Sequence, residues 1–164
     1  MTRRPSAQRR RLLKIVGAFF LGQAFDVSSA LAGSEPSTRE RATFAAFLDV
    51  LLPRDALSGS ATDLRVDEQL WELSAAEARY RRLIELGCQW LNMTGGPPFA
   101  ELVAEQQVAL VEWMSGSDWN QIPRRFYELV RQTAVEVYYS DPAAWRGLSL
   151  ERPPQPLGYL PPWQ

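Results

Sequence analysis

From residue 44 onward the apolar positions of this chain recur at spacings of three and four, the period of amphipathic helices. Phe44, Phe47, Leu48 and Leu51 make the first such stripe. Ahead of it, Ser37-Thr38-Arg39-Glu40 has the form of a capping box, in which the serine oxygen accepts from the third amide and the glutamate reaches back. Pro53 ends this helix, because the residue before a proline is pushed out of the helical region, and Pro53 to Ser60 reads as a loop. A short helix is expected from Asp63, burying Val66, Leu70 and Leu73. Ser74-Ala75-Ala76-Glu77 repeats the capping-box form, and Tyr80, Leu83, Ile84, Gly87, Cys88 and Leu91 follow at core spacing until Gly95-Gly96-Pro97-Pro98 stops the helix.

Phe99, Leu102 and Val103 predict an apolar turn. Next comes a helix over about Glu105–Met114, with Val108, Leu110, Val111 and Met114 inward and Trp113 beside them. Ser115-Gly116-Ser117 breaks it. The last strong helix starts near Ile122, with Pro123 suited to the first helical position. Its expected core face is Phe126, Leu129, Val130, Thr133 and Val137, and Tyr138-Tyr139-Ser140 closes it. No stretch alternates with period two over a useful length. The pattern therefore predicts an all-α fold, a small bundle of about five helices over residues 33–140.

Residues 141–164 break the pattern with six prolines, which no regular helix or ladder strand can accommodate. Trp145, Leu157, Tyr159 and Trp163 are spread among them, more aromatic content than a disordered tail usually carries. This segment is expected to lie extended on a surface, that of the bundle or of another protein. Tyr138 and Tyr139 sit about 100° apart on a helix, so one is expected in the core and the other at an interface. With Trp145, Leu157, Tyr159 and Trp163 they make up the candidate partner-binding residues, because Trp and Tyr dominate interface energetics where they become buried.

Charge separates the two ends of the chain. Residues 1–32 carry Arg3, Arg4, Arg9, Arg10, Arg11 and Lys14 against Asp26 alone, followed by an apolar run from Ile15 to Phe25. Eleven apolar-biased residues suit a signal-peptide core and fall short of the ~20 that a spanning helix needs. Ala30 and Ala32 are small residues at the positions a signal peptidase inspects. Arg9-Arg10-Arg11-Leu12-Leu13-Lys14 is similar to the twin-arginine export pattern, in which Arg9, Arg10, Leu12, Leu13 and Lys14 would be the recognised residues. Residues 1–32 are thus read as a twin-arginine signal, which places the mature chain in the periplasm and makes the twin-arginine translocase a partner.

What remains, residues 33–164, holds twelve arginines, eighteen acidic residues, no lysine, no histidine and the single Cys88. That inventory excludes an internal disulfide framework, a histidine general base and a Cys/His zinc site. An acidic surface without lysine is also poorly suited to nucleic acid. No glycine-rich nucleotide fingerprint, metal cluster or haem cysteine pair is present, so no cofactor is expected in this chain and no residue is assigned as catalytic, cofactor-binding or metal-ligating. Asp49 and Asp55 flank a helix end, but two carboxylates without a third oxygen donor read as solvated loop charge. Cys88, at core spacing with Ile84 and Leu91, reads as a small buried apolar residue.

Several segments, taken in order, carry a resemblance. They are Phe47-Leu48-Asp49-Val50-Leu51-Leu52-Pro53-Arg54-Asp55, Pro98-Phe99-Ala100-Glu101-Leu102, Phe126-Tyr127-Glu128-Leu129-Val130-Arg131-Gln132-Thr133, Val137-Tyr138-Tyr139-Ser140 leading to Trp145, and Pro153-Pro154-Gln155-Pro156-Leu157-Gly158-Tyr159. Together they resemble the gluconate 2-dehydrogenase subunit 3 family. Ser58-Gly59-Ser60-Ala61 departs from the Pro-Gly-Ala usual there. The resemblance implies a non-catalytic accessory subunit that escorts and stabilises a flavin-dependent dehydrogenase of the glucose–methanol–choline type, acting on a sugar, polyol or sugar acid. FAD would sit in that large subunit, a cytochrome c subunit is a further candidate member, and the complex could hold the chain at a membrane. A folded-protein export signal on a body with no cofactor site agrees with this, because the signal then serves a second, cofactor-loaded protein. The other class open to this composition is a stand-alone periplasmic helical enzyme or ligand-binder working with carboxylates, Arg and Tyr.

Overall fold

The computed structural model describes residues 35–93, 95–146 and 148, and within them the chain is all helix and turn. Five α-helices follow one another: α1 Thr38–Leu51, α2 Val66–Ala76, α3 Ala78–Asn92, α4 Ala104–Ser115 and α5 Ile122–Ser140, with 3-10 turns at Phe99–Glu101 and Pro142–Trp145. The predicted bundle of about five helices is the observed fold. The twin-arginine residues, Ala30, Ala32, Leu157, Tyr159 and Trp163 lie outside the described residues.

α1 starts as its sequence predicts. The Ser37 side chain accepts from the Glu40 amide at 3.2 Å, and the Ser37 amide donates to the Glu40 carboxylate at 2.9 Å. The second expected capping box does not form. Ser74 lies inside α2, where its hydroxyl donates to the Trp71 carbonyl at 2.7 Å, and Glu77 serves both as the last cap of α2 and as the N-cap of α3. A four-residue pattern of this kind reports only that two polar groups have the right separation. Leu70 and Trp71 go into the core here, so the helix runs on through Ser74 to keep them there.

α2 begins at Val66 and not at Asp63. Residues 61–66 first make one helical turn closed by two bonds, Val66 amide to Ala61 carbonyl at 2.9 Å and Arg65 amide to Thr62 carbonyl at 3.1 Å. This is the helix-ending arrangement that puts its fifth residue in the left-handed region. Arg65 occupies that place at φ 56°, where glycine would be at ease. The chain reverses there and only then enters α2.

α5 is central. It packs against all four other helices, and α1 does likewise. Phe44, Phe47 and Phe126 form the middle of the core, with the Phe47 and Phe126 rings 4.6 Å apart between centroids and Trp71 edge-on to Phe44 at 5.1 Å. Aromatic pairs at such tilts gain energy beyond the area they bury. α3 comes so close to α5 that a Cβ at Gly87 would sit 2.2 Å from the Phe126 ring, which explains the glycine in mid-helix. Tyr80 lies beside Thr133 and Glu136 on the same pair of helices. The contacts 87 with 126 and 80 with 133 run in opposite directions, so α3 and α5 are antiparallel. Two polar links close the bundle: the Asn92 side-chain oxygen accepts from the Thr43 hydroxyl at 3.0 Å and from the Phe99 amide at 3.1 Å.

Candidate functional site

At the end of the bundle where α1 stops, the loop 53–65 is built from aspartates that accept backbone amides. Asp55 accepts from Leu57 and Ser58, both at 2.7 Å, and those two bonds hold its carboxyl below the usual range. Asp63 accepts from the Ser60 amide at 2.7 Å and pairs with Arg54 at 2.5 Å, and its pKa is likewise lowered, chiefly by the amide. Asp49 reaches across from α1 to take the Thr62 amide at 2.9 Å and the Thr62 hydroxyl at 2.7 Å. Asp49 and Asp55 thus serve as cross-link and turn acceptors, and Arg54 pairs with Asp63. Every carboxylate of the loop is engaged in holding the loop.

Tyr138 completes that end. It is only 4% exposed and its phenol donates to the Gly59 carbonyl at 2.7 Å, so this candidate interface residue belongs to the core. Burial of one tyrosine leaves the other outside: Tyr139 is exposed, with its ring edge-on to Tyr138 at 5.1 Å. Trp145 is half-buried against the core, and its indole N–H donates to the Tyr139 carbonyl at 2.8 Å. Tyr139, Trp145 and the exposed Leu57 and Leu148 are what this end presents to solvent.

No group of three or more His, Cys, Asp or Glu side chains placed to hold a metal occurs among the described residues. Cys88 is fully buried, and burial pushes its thiol pKa far up, as for an inert core residue. Among the described residues, a shallow concavity of about 370 Å³ includes Ser37, Glu40 and Asn92; the Ser37–Glu40 pair in it, which has the residue types of a nucleophile and base, is the helix cap already described. Another, about 220 Å³, lies where α1, α4 and α5 meet and is lined by Val108, Tyr127 and Arg131 among others. No helix among the described residues is long and apolar enough to cross a membrane.

The largest departure from the expected core lies on α4 and α5. Val108, Trp113 and Leu129 were predicted inward or beside the core, and they are 43%, 37% and 43% exposed. Val103, expected in an apolar turn, is exposed too, as is Leu73. The true inward face of α5 is Pro123, Phe126, Val130, Ala134 and Tyr138, rotated away from Leu129 and Thr133. That rotation brings the small Ala134 inside and leaves a large Leu outside. Ile122 and Leu129, seven residues apart, share one edge of α5, and Leu83 and Trp90, also seven apart, share one edge of α3. The antiparallel register, 87 with 126 and 80 with 133, sets Leu83 opposite Val130 and Trp90 opposite Pro123, the neighbours of Leu129 and Ile122. Trp113 stacks on Trp90 at 5.4 Å, nearly parallel. Trp119, more than half exposed, is tethered nearby by Arg125, whose Nε donates to its carbonyl at 3.1 Å. A continuous apolar strip therefore follows the α3–α5 seam. A sequence signal for it existed, since two tryptophans and a leucine exceeded what one helical face needs.

The fold and this surface define a small helical protein whose candidate site is an exposed apolar face. Its relatives are known at the level of the family. The family described as Gluconate 2-dehydrogenase subunit 3 matches residues 38–151, and the chain belongs to it, as the segments from Phe47 to Trp145 led one to expect. Membership makes it a member of a family of dehydrogenase subunits. No curated protein and no solved structure matches the chain.

Proposed function

We propose that this chain is the non-catalytic small subunit of an exported flavin-dependent dehydrogenase, which it escorts and stabilises. The observation that carries the reading is membership in the subunit 3 family across residues 38–151. The apolar strip along α3 and α5 supports it, since a subunit needs a surface that only its complex covers. The engaged carboxylates of the 53–65 loop fit a scaffold more than a reaction centre. The large subunit is a glucose–methanol–choline type flavoprotein with FAD bound before export, acting on a sugar, polyol or sugar acid, and a cytochrome c subunit is a fitting third member. Arg9-Arg10 in the N-terminal segment directs the pair through the twin-arginine translocase, a route for folded proteins, to the periplasm, where the complex can associate with the membrane.

Purification of the tagged full chain from its native host tests the reading. A co-purifying large protein with flavin absorbance and sugar-acid dehydrogenase activity is the expected result. Isolation of this chain alone, or with tight flavin of its own, would sink it. Arg9→Lys with Arg10→Lys should retain both proteins in the cytoplasm, because the guanidinium pair and not the charge is recognised. Normal periplasmic accumulation of that variant would assign export to the general secretory route.

A further inference from the structure

The α3–α5 strip has an identifiable occupant. Leu83 and Trp90 are half-buried, while Ile122 at 41%, Leu129 at 43%, Trp113 at 37% and Trp119 at 55% stand further out. With large apolar side chains covering roughly 150–250 Å² each, those fractions leave on the order of 400 Å² of apolar surface open. A patch of that size falls within the roughly 300–600 Å² of the largest patch on a typical soluble chain, which is often functional. Two copies joined through it about a twofold axis would bury about 800 Å² in all, short of the ~1,200 Å² where specific stable interfaces begin. The strip alone is too small for a dimer of this chain. It has the size of the dry centre of a larger interface whose rim extends beyond it.

The rim has a sign. Residues 33–164 are acidic overall, yet Arg79 and Arg125 are exposed, occupy the outer edges of α3 and α5, and form no ion pair among the described residues. Glu136, near Tyr80, and Asp118, beside Trp119, are acidic residues on the same border. Arg82 is already paired with Glu85 at 3.3 Å and Arg124 with Glu128 at 2.7 Å. Guanidinium charges without an acidic partner beside a dry apolar centre suit carboxylates on the rim of a partner.

We propose that the α3–α5 seam, centred on the Trp90–Trp113 stack and on Ile122 and Leu129, is the surface that docks the large dehydrogenase subunit. The inference rests on the accessory-subunit reading and adds the location, together with the partner's chemistry: an apolar ridge flanked by carboxylates.

The test uses the full chain in its native host, tagged and co-purified with the flavoprotein. Ile122→Asn with Leu129→Gln should reduce recovered flavin and dehydrogenase activity about 100-fold or more, the loss expected when two central apolar contacts go. Leu57→Gln, at a leucine still more exposed at the other end of the bundle, should leave recovery unchanged. Circular dichroism melting verifies that each variant is folded. A photo-crosslinking residue at position 129 should bond to the flavoprotein, and one at position 57 should not. Full recovery by the seam variant, or crosslinks from position 129 only to this same chain or a second copy, would overturn the proposal. If the wild-type chain recovers no flavoprotein, the accessory-subunit reading itself has failed, which separates the two.

Discussion

Around Gly59 the chain turns back under a mesh of hydrogen bonds, whereas along α3 and α5 it carries large apolar side chains into solvent. The two regions have opposite chemistry. In the loop, three aspartates, Ser60, Thr62 and Tyr138 satisfy one another and the backbone at distances of 2.5–3.4 Å, so nothing outside the chain is needed. Along the seam, Ile122, Leu129 and Trp113 gain nothing more from their own chain than the contacts they have. A surface whose polar groups are internally matched is complete by itself. One whose apolar groups are left over is complete only when covered. The contrast separates residues that hold the bundle from residues that join it to something else.

The strongest attack on that contrast goes beneath the seam. Gly87→Val places a branched side chain where a single Cβ already lies 2.2 Å from the Phe126 ring, so α3 must move away from α5. A loss of about 3 kcal/mol is expected, at the upper end of overpacking costs, read as a lowered urea midpoint. An unchanged midpoint would mean that the helices part easily and that the seam is not a firm platform.

Asp49→Ala comes next. It strips the Thr62 amide and hydroxyl of their shared acceptor in a half-buried site. Unsatisfied groups of this kind cost roughly 1–3 kcal/mol, and hydrogen exchange at Thr62 should quicken. No change in either measure would show that water replaces the carboxylate and that the loop is less self-sufficient than its geometry suggests. Tyr138→Phe should cost about 1 kcal/mol, the usual net worth of one hydrogen bond, with the freed Gly59 carbonyl as the cause.

Acid should loosen the loop before the seam. Asp55 and Asp63 have lowered pKa values because backbone amides favour their charged forms. Their contribution is complete above the ordinary aspartate pKa of about 3.9 and is lost as pH falls through the lower folded values. Asp67, whose carboxyl burial raises, opposes the trend: its strain is relieved on protonation. Amide exchange across residues 55–63, followed downward in pH, should rise relative to α5. Equal protection in both regions down to full protonation would erase this part of the comparison. The smallest effect is expected at the seam itself. Leu129→Gln should change the stability of the isolated chain by no more than ~0.5 kcal/mol, as exposed substitutions do. A large loss would place Leu129 in the working core and remove it from the docking surface.

Much of this was legible in the chain. The capping box at Ser37, the stop at Pro53, the α3 stripe through Ile84, Gly87, Cys88 and Leu91, and the start of α5 at Ile122 all formed where the local pattern put them, with Pro123 second in its helix and not first. Each depends on neighbours within about one helical turn, which the sequence states directly. The turn that Arg65 closes in the left-handed region was not legible, because an arginine gives no sign of the φ it must adopt. Nor was the rotation of α5 that buries Ala134 and exposes Leu129.

By itself, then, the sequence determined the helical class, the number of helices, most of their ends and the family, all of which follow from local periodicity, caps and ordered motifs. The tertiary structure decided which of two available apolar edges each helix turns inward, which tyrosine of the pair at 138 and 139 is buried, and that leftovers from α3, α4 and α5 meet in one strip. The physical reason lies in packing. A period of 3.6 residues defines a face only to within the width of the apolar stripe, and the choice within that width is made by the shapes of the neighbouring helices, here by Phe126 filling the gap that Gly87 leaves.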